Sequence, residues 1–137
     1  MKLNVIIVYD SNEENLLMCK RVKEPYKGLY NLVGGKIEEN EDGLVSAYRE
    51  LFEETGISDL DISLKHLMTL CYTISDIELQ VYVGKLTKEV TLVEEVNELF
   101  WMDINNDFSD SSKYAGEGNI AHMIEQVKIH RKNIFAD

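Results

Sequence analysis

Between Asp42 and Thr55 the chain carries three glutamates, Glu50, Glu53 and Glu54, at spacings of one, three and four residues. Wound as a helix at about 100° per residue, they fall within an arc of roughly 100°, while Leu44, Tyr48, Leu51 and Phe52 point to the opposite side. One face is therefore expected to pack and the other to present carboxylates. Like charges three and four positions apart cost ~0.2–0.5 kcal/mol per pair on an isolated helix. A hard divalent cation removes that repulsion, and Mg²⁺ is commonly held by one or two carboxylates together with phosphate oxygens and water. The matching chemistry is attack of water on a phosphate, with the metal spreading the developing charge and a carboxylate deprotonating or aligning the water. Arg49, beside the cluster, can hold a glutamate through a charge-assisted hydrogen bond.

Taken alone, Arg49-Glu50-Leu51-Phe52-Glu53-Glu54 reads as an ordinary solvated helix face. Wider spacing changes that judgement. With Gly35, Glu41, Arg49, Glu50, Glu53, Glu54 and Gly56 fixed at roughly 6% each, the chance of the pattern is about 10⁻⁸ to 10⁻⁹ per start position. A Ser/His/Asp or Cys/His arrangement is not needed, and His66, His122 and His130 show no ligand spacing.

These groups need a scaffold. Asp42 is expected to cap the helix and Gly56 to end it. Leu3 to Tyr9 and Leu16 to Cys19 read as two strands joined across the polar turn Asp10–Asn15, followed by a loop around Pro25, the only proline, that leads to Tyr30–Ile37. The glycine pair Gly34-Gly35 lets the backbone approach a ligand closely. Ile62 to Ser75 and Glu78 to Leu86 read as strands joined at Ser75-Asp76, and Leu99 to Met102 as a short one. A long loop from Asn105 to Gly118 precedes Asn119, a good helix cap, and a second amphipathic helix marked by Ile120, Met123, Ile124 and Val127, with a basic end from Lys128 to Lys132.

The 137 residues suit a single domain over 1–137. A net charge of −11 without a basic stripe argues against a nucleic-acid polymer as partner, but a small phosphorylated substrate stays compatible once metal neutralises the site. Cys19 and Cys71 form no paired spacing, so both are expected as buried small hydrophobes in a reducing cytoplasm. The short apolar run after Lys2 is no membrane span. A homodimer is allowed.

Gly35, five residues, Glu41, seven residues, Arg49-Glu50-Leu51, one residue, Glu53-Glu54, one residue, Gly56-Ile57 resembles the Nudix box, with every defining position filled. The resemblance extends to the Gly34–Glu38 entry, the strand-rich flanks and Trp101. It implies the Nudix fold, an α/β arrangement with a mixed sheet sandwiched between helices, and a pyrophosphohydrolase acting on a nucleoside diphosphate linked to another moiety. Carried over by position, it makes Glu50 and Glu54 metal ligands, Glu53 a ligand or base, and the Gly35 carbonyl part of the metal shell; Glu41 and Gly56 support the box and Arg49 orients it. The cofactor implied is Mg²⁺, with Mn²⁺ as substitute. A further carboxylate comes in several members from a loop before the late strand, where Glu98 is the expected catalytic residue and Glu94 and Glu95 are the alternatives.

For the substrate, Arg21 matches a phosphate-binding arginine of MutT-like nucleoside triphosphate pyrophosphohydrolases, Lys36 offers a second cation, and Asn119 lies where those enzymes read an oxidised guanine. Cleavage of nucleoside triphosphates, oxidised ones included, to monophosphate and pyrophosphate is thus the leading expectation. The proline typical of ADP-ribose hydrolases is replaced by Cys71-Tyr72-Thr73, and Tyr72 is near a tyrosine of dinucleoside polyphosphate hydrolases. Hydrolysis of a dinucleoside polyphosphate, ADP-ribose or a nucleotide sugar is the enzyme alternative, and a non-catalytic nucleotide sensor is the alternative of another class. Tyr114 or Phe108 can stack on a base or tuck against the core, and Trp101 is expected in the core.

Overall fold

The computed structural model describes residues 1–135. Its strands are Lys2–Tyr9 (β1), Asn15–Lys20 (β2), Tyr30–Asn31 (β3), Val33–Lys36 (β4), Lys65–Tyr72 (β5), Ile77–Lys85 (β6) and Glu98–Asp103 (β7), and its helices Gly43–Thr55 (α1), Asn119–Ile129 (α2) and Arg131–Ile134 (α3).

Strand side chains alternate between faces, and here each face has its own core. Ile6 and Val8 of β1 with Leu17 and Cys19 of β2 meet Ala47 and Leu51 of α1. Ile7 and Tyr9 with Leu16 and Met18 meet Ile120, Met123, Ile124 and Val127 of α2. A mixed sheet between helices is the outcome, as the box resemblance implies.

The sheet runs β3-β2-β1-β6-β5, with β4 also on β1 and β7 also on β2. β1 is parallel to β6 along its whole length and the other pairings are antiparallel. Its opposite edge is shared: β4 takes Leu3 to Ile6, and β2 joins only at Tyr9↔Leu16. The sheet forks there, and the Gly34-Gly35 strand occupies the fork.

Several expectations need correction. Strand β5 starts at Lys65 rather than Ile62, which makes only an isolated bridge to Leu86. Cys71 is exposed because β5 is the edge strand; Cys19, on an inner strand, is buried. On α1 the buried residues are Ser46, Ala47, Leu51 and Thr55, whereas Leu44 and Phe52 face solvent. The helix is thus rotated relative to the expected apolar face, which brings Glu50 and Glu54 to the flank of the sheet contact. Asn119 does not cap α2: Gly118 holds the cap position with no side-chain bond.

Candidate active site

Two caps fix the helix that carries the glutamates. Asp42 accepts from the Leu44 and Val45 amides at 3.1 and 3.2 Å, and Gly56, at φ 79°, returns its N–H to the Phe52 carbonyl at 2.9 Å. So anchored, α1 sets Glu50 and Glu54 against β4. A Cβ on Gly35 would stand 2.6 Å from the Glu50 carboxyl carbon, so only glycine leaves room for that carboxylate. Gly34 donates its N–H to Glu54 Oε2 at 3.1 Å.

Arg49 organises the rest. Its Nε and Nη2 form a fork onto Glu41, at 2.7 and 2.9 Å, while Nη1 donates to Glu50 at 3.1 Å and to Glu53 at 3.3 Å. Glu41 also accepts from the Glu38 amide at 3.0 Å, closing the loop between β4 and α1. This guanidinium holds the Glu41 carboxyl down to about 2. Burial has the opposite effect on the inner pair: it raises Glu50 above the usual carboxylate range and pushes Glu54 up to about 7. Glu53 stays outside, with its side chain half exposed.

Among the described residues no three Asp, Glu, His or Cys side chains are gathered into a ready-made metal cage. Two partly desolvated carboxylates beside a glycine backbone are nevertheless a fitting oxygen donor set for a hard cation whose remaining positions go to water and phosphate.

Two cavities adjoin this cluster. A small one, about 210 Å³, lies between β2 and the loop before β7 and brings Glu54 together with Cys19 and Glu95. The larger, about 600 Å³, lies on the α2 side of the sheet. It runs from Asn4, Gly34 and Gly35 past apolar walls of Leu3, Val5, Ile120 and Met123 to Arg21, Asn31, Tyr72 and Asn119. Tyr26 and Glu117 also line it, the Tyr26 hydroxyl donating to both Glu117 oxygens at 2.8 and 2.9 Å.

A family model described as the NUDIX domain matches residues 2–116, most of the chain. The chain belongs to the Nudix family. It is accordingly a pyrophosphohydrolase of the phosphoanhydride-cleaving kind. Solved structures repeat the fold. An Ap4A hydrolase from C. elegans, crystallised as a binary complex, aligns over 96% of this chain and 99% of its own at 14% identity, with a TM-score of 0.77. MutT of Aliivibrio salmonicida and Vibrio cholerae aligns over 93% and 95% at 16% identity, TM-score 0.70. A MutT/nudix family protein from Enterococcus faecalis is 20% identical over 74% of this chain, TM-score 0.63, and this chain covers 43% of that longer protein.

Within the Nudix scaffold the residues singled out from sequence divide by location. Gly35, Glu41, Arg49, Glu50, Glu53 and Glu54 come together around the box, with Gly56 ending the helix. Arg21 and Asn119 share the large cavity; Arg21 is tied to the Pro25 carbonyl at 2.8 Å and Asn119 donates to the Tyr72 hydroxyl. Lys36 is exposed at the end of β4 and lines neither cavity. Of the loop glutamates, Glu94 accepts from the Leu99 amide at 2.8 Å, Glu98 opens β7 opposite Lys20, and Glu95 faces Glu54. Tyr114 and Phe108 are buried against each other with ring centroids 5.0 Å apart, which is the second of the two readings, a tuck against the core: the loop turns both rings into the α2-side core. Trp101 packs against the α1-side core. Sequence reasoning missed Asn4, Asn31, Tyr26 and Glu117. Only Asn4 gave a signal, as the single amide within the run that follows Lys2 in β1.

Proposed function

We propose that this Nudix enzyme cleaves nucleoside triphosphates, oxidised ones included, to the monophosphate and pyrophosphate with Mg²⁺, Mn²⁺ being a competent substitute. One observation carries the reading: a single cavity of about 600 Å³ joins the glycine pair of the box to Arg21, Asn31 and Asn119. Its apolar walls suit a base and sugar, and its one lining arginine suits a phosphate.

Glu50, Glu54 and the Gly35 carbonyl would hold the cation, which supplies charge neutralisation on the phosphate oxygens. The chain's own contribution is positional. Arg49 keeps Glu50 and Glu53 aimed while its fork to Glu41 fixes the entry loop. Water activation needs a carboxylate able to accept a proton. Glu95, sharing a cavity with Glu54, is better placed for it than Glu98; Glu53, more exposed, is the other candidate. Arg21 would orient the phosphate chain and Asn119 the base; Lys36, at the strand end, would add charge only from outside. The preferred partner is thus a small nucleotide. Among the described residues no helix is long and apolar enough to cross a membrane.

Tyr72 favours a second reading. Its hydroxyl lines the cavity and meets Asn119, a placement that suits a dinucleoside polyphosphate equally. A panel with Mg²⁺ separates them: canonical and oxidised triphosphates, a dinucleoside tetraphosphate, ADP-ribose and a nucleotide sugar, with products resolved by chromatography. Monophosphate plus pyrophosphate from a triphosphate is the expected result. Turnover of the dinucleotide alone moves the assignment to the second reading, and nucleotide binding without turnover of any compound leaves a sensor.

A further inference from the structure

One of the buried polar side chains at the box comes from outside it. Asn4 is 2% exposed near the start of β1, between the apolar Leu3 and Val5. An amide buried without partners is costly, so a strand whose task is packing alone would place a valine there. Asn4 has partners at both ends. Its Oδ1 accepts the Gly35 N–H at 3.0 Å, and its Nδ2 donates to Ser46 Oγ at 3.0 Å.

These bonds connect separate elements. Gly35 sits on β4, directly opposite Asn4 in the register, and Ser46 sits on the fully buried face of α1. Arg49 Nη2 then approaches Ser46 Oγ at 3.5 Å, one turn before the glutamates. Strand β4 also lies close against β1 at this point: a side chain on Gly34, at φ 154°, would strike the Asn4 backbone carbonyl. A single side chain therefore ties the Gly34–Gly35 peptide to the helix that bears Glu50 and Glu54.

We infer that Asn4 is a positioning residue of the metal site, anchoring the Gly34–Gly35 peptide against α1 so that the Gly35 backbone and the two glutamates converge. The inference rests on the proposed metal role of Gly35, Glu50 and Glu54. Partners that orient ligands from behind typically account for about 10- to 100-fold in metal affinity or activity. Asn4→Val removes both bonds while keeping a strand-forming side chain. Ser46→Ala removes one of the two and preserves the packing, so it reports even if the first variant folds poorly.

The test measures Mn²⁺ binding to the full chain without nucleotide, by the electron paramagnetic resonance of the free ion, alongside thermal unfolding and steady-state kinetics. Expected for Asn4→Val is an approximately tenfold or greater loss of Mn²⁺ affinity and a matching rise in the metal concentration for half-maximal rate, with nucleotide KM at saturating metal changing less than twofold. Ser46→Ala should move in the same direction by a smaller factor. Loss of Tm with unaltered Mn²⁺ affinity in both variants overturns the inference, because a purely structural amide would behave so. Failure of the wild-type chain to bind Mn²⁺ overturns the metal reading first and this inference with it, so the two failures are told apart by which protein shows them.

Discussion

The two ends of the substrate cavity are built on different principles. At the box end, residues close in sequence are locked together: Arg49 alone bonds Glu41, Glu50 and Glu53, and its side-chain contacts all fall between Lys36 and Glu53. At the far end, Arg21, Asn31, Tyr72 and Asn119 arrive from four separate segments, and the contacts between them are few and solvent-facing. A dense network of partly desolvated charges suits the chemical step, which needs fixed groups. A sparse set of separate donors and acceptors suits recognition, where a change at one position alters selectivity without dismantling the rest. Kinetic effects should follow that division, with kcat failing at one end and KM drifting at the other.

The largest effect belongs to Glu54. Its carboxylate bonds the Gly34 amide and shares a cavity with Glu95. Glu54→Gln keeps the shape and removes the charge, and should lower kcat by at least about 100-fold, with the circular dichroism spectrum and Tm close to wild type. Activity equal to wild type would remove the box end's claim to the chemistry. Arg49→Lys comes next. A lysine keeps the charge but cannot reproduce the fork on Glu41 while also reaching Glu50, so kcat should fall about 10- to 100-fold, with nucleotide KM within about threefold. A rise in KM alone would show that Arg49 binds substrate rather than aligning glutamates.

The same division governs what the sequence reveals. Helix α1 was legible to its ends because its signals are local: Asp42 and Gly56 do what a cap and a left-handed terminator do. Which side of it packs was not legible. Leu44 and Phe52 suggest one face, but docking against a twisted sheet is decided by small residues, Ser46 and Ala47, whose burial no periodicity announces. Asn119 is not the helix cap that its position suggests, since the backbone turn at Gly116 and Gly118 already starts α2 and frees the side chain for Tyr72. Tyr26 and Glu117 meet across 91 residues, and nothing local marks a pair that exists only once the chain has folded.

Asn119→Ala tests the recognition end directly. Losing one side-chain amide is worth ~1 kcal/mol, so KM for the preferred nucleotide should rise about five- to tenfold while kcat stays within twofold. Comparison across bases sharpens it: the increase should differ between purine and pyrimidine triphosphates. A uniform rise for every base would place Asn119 at the sugar or phosphate instead.

The smallest effect comes from the outer support of that end. Glu13, in the β1–β2 turn, bonds Arg131 beyond α2 and Lys85 on β6, the latter at 3.2 Å. α2 supplies Ile120 and Met123 to the cavity wall, so the pair steadies recognition only at a distance. The Arg131 hydrogen bond, with Lys85, holds the Glu13 carboxyl below its usual range. A carboxyl lowered on folding contributes stability above its unfolded value near 4.5 and loses that contribution as pH falls through the folded value. Glu13→Gln should therefore cost ~0.2–1 kcal/mol at pH 7, as exposed pairs do, and the difference from wild type should shrink both in high salt and below pH 4. Urea unfolding at the two pH values reads this, and kcat and KM should not move. A change in base selectivity in Glu13→Gln would mean that the recognition end depends on its outer supports as closely as the box depends on Arg49, and the contrast between the two ends would fail.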